Sequence, residues 1–312
     1  MKKNTLYTFI LIAIGFIACE KEFTPNLTET ADSVVVEGYI EAGRNATPPY
    51  VILTKSLPFF RELPSFNNVF INGAEIWVSS GKDSIRLQEI CWQSLPEVFK
   101  KQAAQAFNLN LDSIPKDFNF CVYVDQSLTM QGEVGKTYSL NIKTKEGQRL
   151  SAVTTIPRTV KIDSADFVKP PGINQNDSLT QMRAYANDPK GSDYYRYFTA
   201  INGGSYIAGR NSVADDAFFD GINTRFNLAK SEPRGSGASF DTYGLWRRGD
   251  TISIKFCSID KAHFTFWQTL EFNANNAGPF SSYTRVKHNI IGGMGIWGGY
   301  NATYYDAIVP KK

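Results

Sequence analysis

The residues that could do chemistry are few and badly placed for it. Only two histidines, His263 and His288, occur in the 312 residues. His263 falls in a predicted helix and His288 in a loop, and neither has a nucleophile or metal partner at a suggestive spacing. Both read as structural. Cys19, Cys91, Cys121 and Cys257 contain no close pair of the kind that zinc sites use. Gly293-Met294-Gly295-Ile296-Trp297-Gly298 matches the dinucleotide fingerprint by letter. It lacks a following helix start and a ribose-binding acid, so nucleotide binding is not expected. The run reads instead as a loop with close backbone approach, where only glycine fits. On such a loop Trp297 and Tyr300 are candidates for contact with a ligand or partner. Asp193, Asp215, Asp216 and Asp220 lie in loops that could bind calcium, but without EF-hand alternation. Solvated loops are the simpler reading. No catalytic residue, metal or cofactor is expected from this set.

The elements that must position these residues are mainly strands. Phe and Tyr are abundant, Val, Ile and Thr recur in alternation, and turn residues are frequent. Strands are predicted at 33–40, 50–56, 74–79, 84–90, 120–124, 136–144 and 148–156, with hairpin turns at Ser80-Gly81-Lys82-Asp83 and Lys145-Glu146-Gly147. An insertion at 92–119 breaks this series. Leu95, Val98, Phe99, Ala103, Ala106 and Phe107 have helical spacing there, with Pro96 in the first turn. After Pro157, strands are predicted at 162–168, 179–185, 194–199, 224–228 and 251–257. Asp260 then caps a helix over 261–271, and residues 302–310 close the chain as a strand. In the aromatic strand, Tyr194, Tyr195, Tyr197 and Phe198 alternate, so some face the core and an outward Tyr could meet a sugar or a partner.

The fold class expected is mainly β. It comprises two β-sandwich domains, immunoglobulin- or fibronectin-like, with the helical insertion in the first and one helix in the second. The boundary is placed near Pro157, giving 33–157 and 158–312. The full chain holds 33 Lys and Arg against 30 Asp and Glu, a balance that argues for neither nucleic acid nor an anionic surface.

The amino terminus is the most informative stretch. Met1-Lys2-Lys3-Asn4 is a short cationic start, and residues 6–18 are almost wholly apolar and uncharged. That is a secretory leader, too short for a comfortable membrane span. Ala18-Cys19 resembles a bacterial lipobox, with Phe16 where Leu is commoner. In a lipoprotein the leader 1–18 is removed and Cys19 is acylated. Several chains at roughly 0.8 kcal/mol per buried methylene then anchor the protein without a spanning helix. Glu20-Lys21-Glu22 resembles the acidic signal by which Bacteroidota lipoproteins reach the outer surface, with a periplasmic face as the alternative. Residues 19–32 read as a tether. With Cys19 acylated, Cys91 and Cys121 bracket the insertion and form the natural disulfide pair, and Cys257 is a buried strand thiol. Six Asp-Ser/Thr-apolar triplets, at Asp32, Asp83, Asp112, Asp163, Asp177 and Asp250, resemble the O-glycosylation acceptor of Bacteroidota. Such triplets also arise freely at strand entries.

Larger stretches carry a family resemblance. They are Val34-Val35-Val36-Glu37-Gly38, Thr54-Lys55-Ser56-Leu57-Pro58-Phe59, Thr154-Thr155-Ile156-Pro157, Ile254 to Lys261 and Asn289 to Tyr300. In this order they resemble the domain-of-unknown-function 4249 family of Bacteroidota lipoproteins. The resemblance implies location and architecture rather than mechanism. It implies work at the outer membrane, beside a TonB-dependent transporter; with no catalytic constellation among the residues, the expected role is a non-catalytic accessory or binding subunit of an envelope complex. The alternative is a glycan- or peptide-capturing protein that uses aromatic residues of the second domain.

Overall fold

The computed structural model describes residues 33–56, 69–97, 100–101, 114, 120–170, 177–217, 220–232, 237, 239, 241–276 and 284–311. The expected leader, the tether with Cys19, and most of the insertion lie outside them. Within the insertion, Lys100 N–H donates to the Pro96 carbonyl at 3.0 Å, a helical turn at the expected place.

Alternating residues form strands because every second side chain reaches one face of a sheet. In the first half these are β1 (Val34–Gly43), β2 (Tyr50–Lys55), β3 (Glu75–Ser80), β4 (Asp83–Cys91), β5 (Cys121–Val124), β6 (Thr137–Lys143) and β7 (Arg149–Thr155). The second half holds β8 (Ile162–Val168), β9 (Leu179–Asn187), β10 (Tyr194–Ile201), β11 (Ile207–Asp215), β12 (Asn223–Leu228), β13 (Trp246–Arg247) and β14 (Thr251–Ile259). Helix α1 (Lys261–Asn275) and β15 (Met294–Ile308) follow. Asp260 caps α1 by accepting from His263 N–H at 2.8 Å.

The protein is mainly β. Eleven strands share one sheet, in the order β11-β10-β14-β15-β1-β2-β5-β4-β3-β6-β7. A smaller sheet is built on β9, which pairs antiparallel with β8, β12 and β13. The expected division near Pro157 separates two hydrophobic cores but not the sheet. Residues from Val34 to Ile156 make one core, to which the distant Ile290 and Trp297 are added. Residues from Val160 to Val309 make the other. The large sheet runs through both, because β15 lies between β14, its antiparallel neighbour, and β1, with which it pairs in parallel from Val35↔Met294 to Gly43↔Ala302. The described residues all fall in one compact unit.

One expectation is corrected here. The Gly-rich stretch ending at Tyr300 is not a loop beyond Met294: it is the first half of β15, at the centre of the sheet. Glycine serves it because neighbours press on the backbone from both faces. At Gly295, φ is +107° and a Cβ would stand 1.9 Å from the Val36 carbonyl oxygen. A Cβ on Gly298 would stand 2.7 Å from Nδ1 of His263 on α1. Strand β11, within the polar stretch 203–241, carries little apolar alternation and was not expected as a strand. Its pairing along β10 imposes the conformation.

Cys91 and Cys121 are disulfide-bonded across directly opposed positions of β4 and β5, at the neck of the insertion.

Candidate functional site

The cleft is assembled by strand register. Glu37, Tyr39 and Glu41 alternate on one face of β1, opposite Ile296, Gly298 and Tyr300 of β15. On β10, Arg196 and Phe198 stand opposite Cys257 and Lys255 of β14, and Ile259 of β14 stands opposite Tyr300. Tyr50 of β2 is the partner of Tyr39. All these residues therefore project from the same face of the large sheet. Helix α1 crosses that face and adds His263 and Trp267. Together they enclose a cavity of about 180 Å³.

Aromatic rings form most of its wall. Tyr39 lies 5.7 Å from Tyr50 and 6.1 Å from Tyr300 between ring centroids. His263 lies 5.5 Å from Tyr39 and 6.1 Å from Tyr300. Arg196 is 7% exposed. Its guanidinium carbon sits 3.4 Å over the Trp267 ring and 4.8 Å from that of Phe198. Arg196 Nε donates to the Ser212 hydroxyl at 3.1 Å, and Ser212 donates from both N–H and O–H to Glu271 of α1. That chain of bonds fixes the plane of the guanidinium. Its two terminal nitrogens make no hydrogen bond or ion pair with any described residue.

The other charges divide cleanly. Glu41, 1% exposed, pairs with Lys255 at 2.7 Å and accepts from the Tyr300 hydroxyl at 3.2 Å and from Thr47 N–H and O–H. Glu37 stands at the rim, open to solvent on one side, and accepts from the Tyr39 hydroxyl at 3.3 Å. Crowding by protein raises its carboxyl pKa, while the Tyr39 hydrogen bond and the Arg196 charge oppose that rise. Burial also raises the Tyr39, Tyr50 and Tyr300 hydroxyls, so all three remain phenols.

A cysteine and a histidine share this cleft, and the physics speaks against their acting together. Burial pushes the Cys257 thiol up to about 12. Burial, with help from the Arg196 charge, pulls His263 down to about 3, a backbone group of Gly299 opposing only weakly. Neither imidazole nitrogen has a hydrogen-bond partner of good geometry. A protonated thiol beside a non-basic imidazole lacks the thiolate that a cysteine nucleophile requires.

The residues singled out in the sequence are scattered. Tyr300 lines the cleft. Trp297 does not: it is fully buried in the first core, and its indole N–H donates to the Tyr138 carbonyl at 3.1 Å. It projects from the opposite face of β15, since neighbouring strand residues point to opposite sides. His288 is placed beside the Ile290 carbonyl, 3.2 Å away, outside the cleft. Cys257 is a buried strand thiol. In the aromatic strand, Tyr195 joins the core between the sheets with Tyr197 packed against it, whereas Tyr194 and Phe198 face the helix side.

Of the loop aspartates, Asp193 and Asp216 come together with Asp188, their carboxylates within 4.8 Å of one another. Protein donors already reach each of them. Arg158 holds Asp193 with Nε and Nη2, Tyr195 O–H and Gly221 N–H donate to Asp188, and Asp193 N–H donates to Asp216. Asp220 instead accepts from Gly191 N–H at 2.7 Å, in the turn before β10. Glu37, Tyr39, Tyr50, Arg196 and Trp267 were not legible as a site. The one available signal was an arginine at an alternate position in an aromatic strand.

The fold and cleft define a β-rich protein with a preformed aromatic pocket and, in its wall, an arginine that pairs with no acid among the described residues. A family model described as Domain of unknown function (DUF4249) matches residues 20–306. The chain belongs to that family. No curated protein matches it.

Proposed function

We propose that this protein is a non-catalytic binding lipoprotein, anchored in the outer membrane through acylated Cys19 and facing the cell surface. Its cleft captures a small ligand on behalf of an envelope complex such as a TonB-dependent transporter. The observation that carries the binding reading is Arg196. The guanidinium lines the cleft with two terminal nitrogens that have no partner among the described residues, and a ligand that replaces the solvent at them gains charge-assisted hydrogen bonds. Stacking on Trp267 and the bond to Ser212 keep it in place for that purpose. The lack of a competent nucleophile among the cleft residues supports binding over turnover. The anchor reading rests on the leader and on Cys19. No helix among the described residues is long and apolar enough to cross a membrane. We also read the first half as an immunoglobulin-like sandwich around the first core, whose far-edge strand β7 meets Ile291, just before β15, through an isolated bridge at Ser151.

Two measurements test this. Calorimetric titration of the purified protein with neutral sugars, amino acids and a peptide digest should find a saturable ligand, and Tyr300→Ala should weaken it without unfolding the chain. Cross-linking in the native envelope should recover a stoichiometric outer-membrane partner, and Cys19→Ala should release the protein from the membrane fraction. A protein that binds none of these ligands and comes out alone would sink the proposal.

A further inference from the structure

Within that binding reading, two groups of opposite sign face the same cleft without pairing. Among the described residues, Arg196 has two terminal nitrogens without a partner, and Glu37 accepts only from Tyr39. The two are close enough for their charges to interact, yet they form no ion pair within 4.0 Å. The neighbouring pair, Lys255 and Glu41, is already satisfied internally. His263 is neutral, and the Tyr50 hydroxyl makes no hydrogen bond with a described residue. The unspent chemistry is therefore one cation, one anion, one phenol and several ring faces.

Ligand classes can be sorted against this set. A neutral sugar stacks on the rings but leaves both charges unpaired. An acid satisfies Arg196 and is repelled by Glu37, and an amine does the reverse. Only a molecule carrying both charges pairs both groups. The size of the cavity limits it further. At about 180 Å³ it lies below the roughly 300–1,000 Å³ of drug-sized sites, so it takes one residue-sized group rather than a length of polymer.

We infer that the cleft binds a small zwitterion, a free α-amino acid, with its carboxylate on the Arg196 guanidinium and its ammonium between Glu37 and the faces of Tyr39 and Tyr50. The planar fork of arginine suits a carboxylate, and electron-rich ring faces beside a carboxylate suit an ammonium. The apolar side chain of the ligand then rests on Phe198, Ile259 and Trp267.

The test is calorimetry on the full-length lipidated protein in detergent. The probes are L-leucine and L-phenylalanine, their deaminated acids, their decarboxylated amines, and N-acetylglucosamine. At least one amino acid should bind saturably, with its acid and its amine each at least about tenfold weaker, the equivalent of about 1.4 kcal/mol per lost charge pair. Arg196→Gln should erase the preference over the amine, and Glu37→Gln the preference over the acid. The wild-type ratios stand even if a variant fails to fold. An acid or amine that binds as tightly as its amino acid overturns the inference. So does binding of N-acetylglucosamine with no amino acid bound, which leaves the broader binding reading intact. Failure of every probe and of the peptide digest removes both.

Discussion

Acidifying this protein should destabilise it through His263, and the size of the effect follows from the site. The imidazole is 2% exposed, packed against Tyr39, Tyr300 and the Gly298 backbone. The titratable groups facing it are Glu37 and Tyr39 from β1, Tyr50 from β2, Arg196 from β10, Cys257 from β14 and Tyr300 from β15. Of these, Arg196 reinforces the downward shift that burial imposes. With an unfolded value near 6.5 and a folded value of about 3, the native state binds fewer protons throughout that window. Stability is therefore complete above about pH 6.5 and falls as pH drops, until about pH 3. Each pH unit in the window costs about 1.4 kcal/mol, so pH 5 costs about 2 kcal/mol relative to pH 7.5. The assay is urea unfolding at pH 7.5 and pH 5 for the wild type and His263→Gln. Carboxylates elsewhere contribute equally to both proteins and cancel in the difference. The wild type should lose about 2 kcal/mol more than the variant over this interval. Parallel pH–stability curves for the two proteins would refute the reasoning.

Four further outcomes are expected. Trp297→Ala removes a fully buried indole and its bond to Tyr138, and should cost about 3–5 kcal/mol in chemical denaturation; a well-folded variant with altered ligand binding would contradict its placement in the core. Gly295→Ala combines an unfavourable φ with a clash against Val36, and should cost about 3 kcal/mol or more, whereas Gly81→Ala, also at positive φ but in open space, should cost about 1 kcal/mol. Similar melting temperatures for these two variants would count against the close approach. Reducing the Cys91–Cys121 bond, which spans 30 residues, should lower unfolding free energy by about 3–4 kcal/mol; an unchanged urea midpoint in reductant would contradict this. Arg158→Gln leaves Asp188, Asp193 and Asp216 crowded without their cation, and because the arginine is half exposed and screened by solvent it should destabilise by about 1–2 kcal/mol at pH 7. That loss should shrink at pH 4 as Asp216, whose carboxyl burial holds above its usual range, takes up a proton, and a loss independent of pH would argue that the cluster is not charged.

Local signals were enough for most of the strands and for the helix. Alternation such as Ile76, Val78 and Leu140, Ile142 requires a half-buried strand, and Asp260 before Lys261 marks a helix start through a bond only three residues long. The turn at Gly81 and the neck at Cys91 and Cys121 are also local or bracketing features. They are legible because the partner lies nearby in the chain or the residue type admits few alternatives.

What the sequence determined by itself is thus the β class, the cap of α1, the turns and the membership of a family. Only the tertiary structure decided that β15 enters beside β1, about 260 positions away along the chain, and so joins both halves in one sheet. It also decided that Gly298 makes room for His263 rather than for a turn, and which face each aromatic residue of β10 takes. The cleft depends on the same long-range register. Glu37, Arg196, Trp267 and Tyr300 come from β1, β10, α1 and β15, and each alone reads as an ordinary residue in its element. Strand pairing between distant segments is set by packing of whole faces, which no local window of sequence contains.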